Sequence, residues 1–286
     1  YDNCLLRGCL SCYTRIMIVA VDTGGTKTLI TLYSRDGVAG KLIKFQTPKK
    51  EADYLSILKE TLQTHYGGQR VEAIVIAMPG IVKDGVAIWC NNLKWKDFDV
   101  ASALKGVLGS APILVENDAN LAGLAETRSR SPMPLSSLYV TISTGIGTGI
   151  TTSGVIDPGL RLSEGGRMLV EFDGMVREWE SFASGQAIHK AYDQYAKDIH
   201  SKQVWNEIAT RISRGFLAAI PLLQPEVIII GGSIGTYFDQ YAPKLEAILR
   251  EHLPPHIPCP QFLPAKHPEQ AVIYGCYYYA IDTLAA

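Results

Sequence analysis

Several absences bound this chain before any motif is considered. No uninterrupted apolar run in its 286 residues approaches the roughly 18 that a membrane-spanning helix needs, and residues 1–16 lack the apolar core of a signal peptide. Neither sign of charge dominates: 27 basic and 28 acidic side chains leave a net charge of −1, which removes the electrostatic case for nucleic acid or an anionic membrane. There is no Walker-A loop and no dinucleotide fingerprint, because no G-x-x-x-x-G-K-[ST] or G-x-G-x-x-G leads into a helix. The expectation is a cytoplasmic protein with reduced thiols that acts on a small molecule. At 47% hydrophobic and 19% charged residues the composition is that of a compact chain, not a disordered one, and the length suffices for one large or two ordinary domains.

Cysteine is thinly spread. Cys4, Cys9 and Cys12 match the start of a plant-type iron–sulfur spacing, but Cys90, Cys259 and Cys276 supply no neighbouring fourth ligand. Residues 1–16 are therefore read as a leader or an added extension without order, and Met17 as the native start.

The rest is organised around Glu116, Asn117, Asp118, Ala119 and Asn120. An apolar strand, residues 112–115, ends in these polar residues and becomes a helix marked by Leu121, Leu124 and Ala125. Asp118 thus sits at a helix N-terminus, where free backbone N–H groups favour an anion. With a reference value near about 4, it is expected to be ionised at neutral pH and able to take a proton from a hydroxyl. A plain capping aspartate fits the same local pattern.

From the start of the chain, residues 16–21 read as a strand, Asp22 to Thr28 as a turn rich in glycine and threonine, and residues 29–33 as a second strand. Such a turn can present N–H groups and hydroxyls to a phosphate; alone it reads equally as a hairpin. Residues 38–46 read as strand, 52–66 as a helix with Leu55, Leu58 and Leu62 on one face, and 71–78 as a buried strand broken by Pro79-Gly80. Trp89, Asn91, Asn92 and Trp95 lie in a connecting segment that suits either an aromatic-walled polar pocket or surface packing. Residues 137–155 then echo the N-terminus: strand, a glycine turn from Ser143 to Gly149, strand. The echo implies two lobes related by structural duplication. Residues 157–177 read as a long structured loop, of the kind that is usually functional. Helices follow from Trp179 and over 204–223, a buried strand 226–230 ends in Gly231-Gly232, and helices 237–252 and 271–284 complete the pattern.

Taken together, these residues resemble the ROK sugar kinases, which share the actin, hexokinase and Hsp70 fold, and the resemblance runs from Met17 to the C-terminus. Asp22-Thr23-Gly24-Gly25-Thr26-Lys27-Thr28 is similar to the first phosphate loop, Glu116-Asn117-Asp118-Ala119-Asn120 to the catalytic motif, and Thr144-Gly145-Ile146-Gly147-Thr148-Gly149 to the second phosphate loop. Asn92-Leu93-Lys94-Trp95 resembles a sugar-contacting segment, Glu180 with Ser184-Gly185 another family stretch, and Gly231-Gly232 the part that approaches adenosine. The resemblance implies an α/β fold, two-lobed and actin/hexokinase-like (ribonuclease H-like), with a cleft between a small lobe of residues 17–117 and a large lobe of 118–270, residues 271–286 packing back on the small one. It implies ATP and Mg2+, Asp22 holding the magnesium through water; Asp118 as general base; and Gly80, Asn92, Asn117, Glu164 and Glu180 at a hexose, with glucose the leading acceptor. A homodimer is the family habit.

One departure stands out. Where the family carries E-x-G-H and a cysteine motif that bind a structural zinc, this chain has Glu164-Gly165-Gly166-Arg167 and no cysteine over 171–179, so no zinc is expected. Arg167 is expected to pair with Glu164 or Glu171 or to meet the ligand. Rival readings remain: a polyphosphate donor, fructose or an N-acetylhexosamine as acceptor, a sugar sensor without catalysis, and a transcriptional repressor, for whose winged helix sixteen residues are too few.

Overall fold

The computed structural model describes residues 17–285; Cys4, Cys9, Cys12 and the reading of residues 1–16 lie outside them. Strand β1 (Met17–Thr23) turns directly into β2 (Lys27–Ser34), followed by β3 (Ile43–Gln46), helix α1 (Glu51–Tyr66) and β4 (Val71–Met78). Next come β5 (Ile81–Lys83), β6 (Val86–Cys90) and β7 (Trp95–Asp99), then α2 (Val100–Leu104), β8 (Ile113–Asn117) and α3 (Asp118–Arg128). The second half opens with β9 (Ser136–Ile142), β10 (Ile146–Thr152) and β11 (Val155–Ile156), then β12 (Leu169–Phe172) and β13 (Met175–Glu178). It continues through α4 (Glu180–Ala183), α5 (Gly185–Tyr192), α6 (Lys202–Leu223), β14 (Val227–Gly231), α7 (Gly232–Gly235), α8 (Phe238–His252), β15 (Gln261–Pro264) and α9 (Ala271–Ala285).

Two five-stranded sheets result, ordered β3-β2-β1-β4-β8 and β11-β10-β9-β14-β15. In each, an antiparallel hairpin supplies one side and two parallel strands the other, so the echo in the sequence is an echo of topology, position for position. The sheets are buried by period-two alternation. Val19 and Val21 of β1 face a cluster with Tyr54, Leu58 and Leu62 of α1, while Ile18 and Ala20 face Ile273, Cys276 and Ala280 of α9. The C-terminal helix therefore lies on the first sheet.

Helix α3 is buried along almost its whole length, because it lies between the halves: Leu121 packs with β1 and α9, Ala122 with Tyr139 and Ile229 of the second sheet. Glycine makes this fit possible on both sides. A Cβ on Gly275 of α9 would fall 2.0 Å from the Leu121 carbonyl, and one on Gly149 of β10 would fall 2.3 Å from that of Ala119.

Several elements differ from the sequence reading. Residues 38–42 leave the ladder except for one bridge, Tyr33 to Ala39, so β3 is only four residues long. The segment around the two tryptophans is a three-stranded antiparallel sheet, and Trp95 is core, its indole N–H donating to the Lys49 carbonyl at 2.8 Å; Trp89 alone is exposed. The long loop of 157–177 contains a 3-10 turn, Gly165–Arg167, and the β12–β13 hairpin. The helix expected from Trp179 breaks at Ser184, whose side chain caps α5 by accepting from the Ala187 N–H.

Candidate active site

Strands β1, β4 and β8 run parallel, with Asp22 opposite Ala77 and Met78 opposite Asn117. Their C-terminal ends thus bring Asp22, Gly80 and Asn117-Asp118 to one edge of the sheet, the place where open α/β sheets bind ligands. The cap of α3 is Asn117, not Asp118: its Oδ1 accepts from the Asn120 N–H at 2.9 Å, and its Nδ2 donates to the Gly80 carbonyl at 2.8 Å. Gly80 is at φ +82°, with the Trp89 carbonyl where a Cβ would be, so the turn after β4 tolerates no side chain. Freed from capping, Asp118 makes only local backbone bonds, Oδ1 accepting from the Ala119 N–H at 2.8 Å and the carboxylate also from its own N–H.

The expectation of an ordinary, fully ionised Asp118 is corrected here. Burial pushes its carboxyl up to about 7, Asp22 and then Glu164 add repulsion, and the Ala119 N–H pulls the other way. Desolvation outweighs the helix N-terminus. Asp22 is pushed up to about 6 by burial, with the Lys27 ammonium opposing.

The two glycine turns flank this edge. In the first, the Gly24 N–H donates to the Lys27 carbonyl at 3.0 Å, Thr26 and Lys27 are exposed, and a Cβ on Gly25 would touch Asn92 at 3.3 Å. Asn92 therefore stands beside the turn. In the second, Ser143 and Gly185 are tied by a 2.6 Å bond, Thr144 is exposed, and Gly145 lies against the Glu180 carboxylate. β10 already begins at Ile146, so Gly147 and Gly149 belong to the strand and make room for α3. Gly231 and Gly232 have their close contacts with Tyr139 and the Ile142 backbone, where β14 ends beside β9.

On the other side of Asp118 four charged groups converge. Glu164 precedes the 3-10 turn; its carboxyl is raised by burial, with Arg167 lowering it and Glu180 raising it. Arg167 closes the turn and reaches Glu178 at 2.6 Å and Glu180 at 3.5 Å, not Glu171, which instead accepts from the Gly174 N–H. Glu180 Oε2 accepts from the Ile146 N–H at 2.8 Å, joining this cluster to the second glycine turn.

A supporting network escaped the sequence reading. Glu116, only 1% exposed, accepts from the Asn117 N–H and from Asn120 Nδ2, and its other oxygen meets Arg161 at 2.5 Å. Asn120 Nδ2 also donates to the Arg161 carbonyl, and Arg161 reaches Tyr279 of α9. No spacing signals a partner 45 residues away.

Among the described residues no group of three or more His, Cys, Asp or Glu side chains forms a metal cage. One or two carboxylates beside exposed Thr and Lys suit a magnesium that shares substrate phosphates, and Asp22, next to Lys27, would be the one to hold it.

A lobe-to-lobe duplication, parallel strand ends meeting between two glycine turns and a helix wedged between the sheets define the two-lobed actin-like fold. The chain belongs to the ROK family, whose model matches residues 18–283. It is 27% identical over 295 residues to the N-acetylmannosamine kinase of Haemophilus influenzae, covering 93% of this chain and 96% of that one. It is 26% identical to the polyphosphate glucokinase of Mycobacterium tuberculosis over 79% of this chain and 81% of that one. Among solved structures, the ROK family glucokinase from Streptomyces griseus in complex with glucose and AMPPNP superposes with a TM-score of 0.76 at 22% identity, covering 93% and 99% of the two chains.

Proposed function

We propose that this chain is a sugar kinase that transfers the γ-phosphoryl group of ATP to a hydroxyl of a hexose, glucose leading, with Asp118 as the general base. The observation that carries the reading is Asp118 itself: it stands between the glycine turns and the Glu164 cluster, its capping duty taken by Asn117, its carboxyl moved to about 7. A base of that strength is matched to neutral pH. It accepts the hydroxyl proton as the sugar oxygen bonds to phosphorus and the bridging oxygen leaves with ADP.

Phosphoryl transfer asks mainly for positioning and charge stabilisation. Gly24, Gly25, Thr26 and Lys27 on one turn and Thr144 and Gly145 on the other serve the phosphates in this reading, and Gly231 and Gly232 border the nucleotide. Mg2+, when bound beside Asp22, neutralises phosphate charge. Asn92, Asn117, Glu164 and Glu180 orient the sugar ring, and Gly80 holds Asn117 in place. The N-acetylmannosamine kinase relative keeps hexosamines as the second reading, and the polyphosphate glucokinase relative keeps polyphosphate as the alternative donor.

The test is coupled ADP release with Mg-ATP over a panel of hexoses and N-acetylhexosamines. Release that depends on one hexose supports the proposal and identifies the acceptor. Release with no sugar in the panel, or phosphorylation only from polyphosphate, overturns the ATP-dependent reading.

A further inference from the structure

Arg167 forms ion pairs with two carboxylates on different elements, Glu178 on β13 at 2.6 Å and Glu180 on α4 at 3.5 Å, and its charge also acts on Glu164, just before its own turn. The turn is fixed independently of these charges. The Gly165 N–H donates to Thr148 Oγ1 at 3.0 Å, the Arg167 N–H donates to the Glu164 carbonyl at 2.9 Å, and the Trp179 N–H donates to the Met168 carbonyl at 2.9 Å. The guanidinium is thus delivered by backbone geometry to a place where acidic groups would otherwise face one another. From Glu180 the chain of contacts continues to the Ile146 N–H on the second glycine turn.

We propose that Arg167 is a positioning residue, setting through Glu180 and Glu164 both the placement of the acceptor sugar and its register with the second glycine turn. The proposal rests on the sugar-kinase reading. Arg167 Nη1 hydrogen-bonds Glu178 and lies in ion-pair contact with Glu180 Oε1 at 3.5 Å, so one Oε of Glu180 faces the guanidinium while the other accepts from the Ile146 N–H. Without it, Glu180 keeps a single tether, and Glu164, Glu178 and Glu180 repel one another beside Asp118. Like charges so placed favour protonation. Glu164, already raised by burial, then rises further, so its charged form gives way sooner as pH falls.

The experiment compares wild type, Arg167→Gln, Arg167→Lys and Glu178→Gln by steady-state kinetics across pH, with sugar affinity read separately by calorimetry. Arg167→Gln is expected to raise KM for the sugar at least about tenfold while kcat falls by less than about threefold. Its acid limb of kcat/KM should move to higher pH. Arg167→Lys, which keeps the charge on a shorter side chain, should restore the acid limb but only part of the KM. Glu178→Gln should change KM far less, because Arg167 retains Glu180. Equal effects of Arg167→Gln and Glu178→Gln would reduce Arg167 to a tether of the β12–β13 hairpin and overturn the proposal, as would an unmoved KM and acid limb. If wild type binds sugar without turnover, calorimetry alone decides: a tenfold loss of affinity in Arg167→Gln supports the proposal and an unchanged affinity refutes it. If wild type neither turns over nor binds any hexose, the sugar-kinase reading fails, and the proposal with it.

Discussion

Replacing Asp118 with Asn separates the carboxylate's chemistry from its place in the fold. Asn is nearly the same size, and its Oδ1 can still accept the Ala119 N–H now held at 2.8 Å, so the start of α3 should be undisturbed. What disappears is the proton acceptor. General-base catalysis contributes about 10²–10⁴-fold, so kcat should fall by at least about a hundredfold, or about 2.7 kcal/mol of barrier, with sugar affinity changed by less than about threefold. The same substitution should raise stability at alkaline pH. The carboxyl is raised from 3.8 to about 7 in the fold, so ionising it opposes folding: its folded form is unpenalised below pH 4 and loses stability as pH climbs through 7. At 1.36 kcal/mol per pKa unit the difference is on the order of 4 kcal/mol. Calorimetric unfolding at pH 5 and pH 8.5 should therefore show a gain for Asp118→Asn that grows with pH, beside the coupled kinase assay. Turnover within threefold of wild type, or a stability difference that is flat with pH, would refute the reasoning.

The same titrations shape the wild-type profile. With Asp118 near 7 and Asp22 near 6 in the free protein, kcat/KM should fall as pH drops below about 7, and Asp118→Asn should lack the upper of the two inflections; a flat profile from pH 5 to 8 would contradict this. Arg161→Met leaves the buried Glu116 without its ion-pair partner and, because Arg161 itself is 39% exposed, should cost about 2 kcal/mol of stability, less than a fully buried pair, a fall of several degrees in unfolding midpoint. Adding Glu116→Gln should recover most of it, and an unchanged midpoint in Arg161→Met would remove Arg161 from the support of the catalytic stretch.

How much of this could be read from residues alone varies with the range of the interaction. Local patterns carried well: the apolar runs of β4 and β14, the glycine turns after β1 and β9, the placement of Asp118 at the start of α3 and the final helix were all legible, because each depends on neighbours in sequence. The small sheet β5–β7 and the β12–β13 hairpin were not, since strands of three to five residues with mixed polarity carry no strong period. The Asp173-Gly174 pair is a hairpin signal that could have located the second. What Asp118 lacks in sequence is its surroundings: the helix N-terminus was visible, whereas the desolvation and the facing Asp22 and Glu164 come from three separate segments. The same holds for Arg167, whose partners Glu178 and Glu180 lie across the β12–β13 hairpin, and for Glu116 and Arg161.

The central claim is phosphoryl transfer to a sugar hydroxyl, and the measurement closest to it is 31P NMR of the reaction mixture after incubation with Mg-ATP and the acceptor found in the panel. A new sugar phosphomonoester signal rising in step with ADP, lost in Asp118→Asn, is the predicted result. ADP accompanied only by inorganic phosphate, or ATP left unconsumed with every sugar tried, would contradict it.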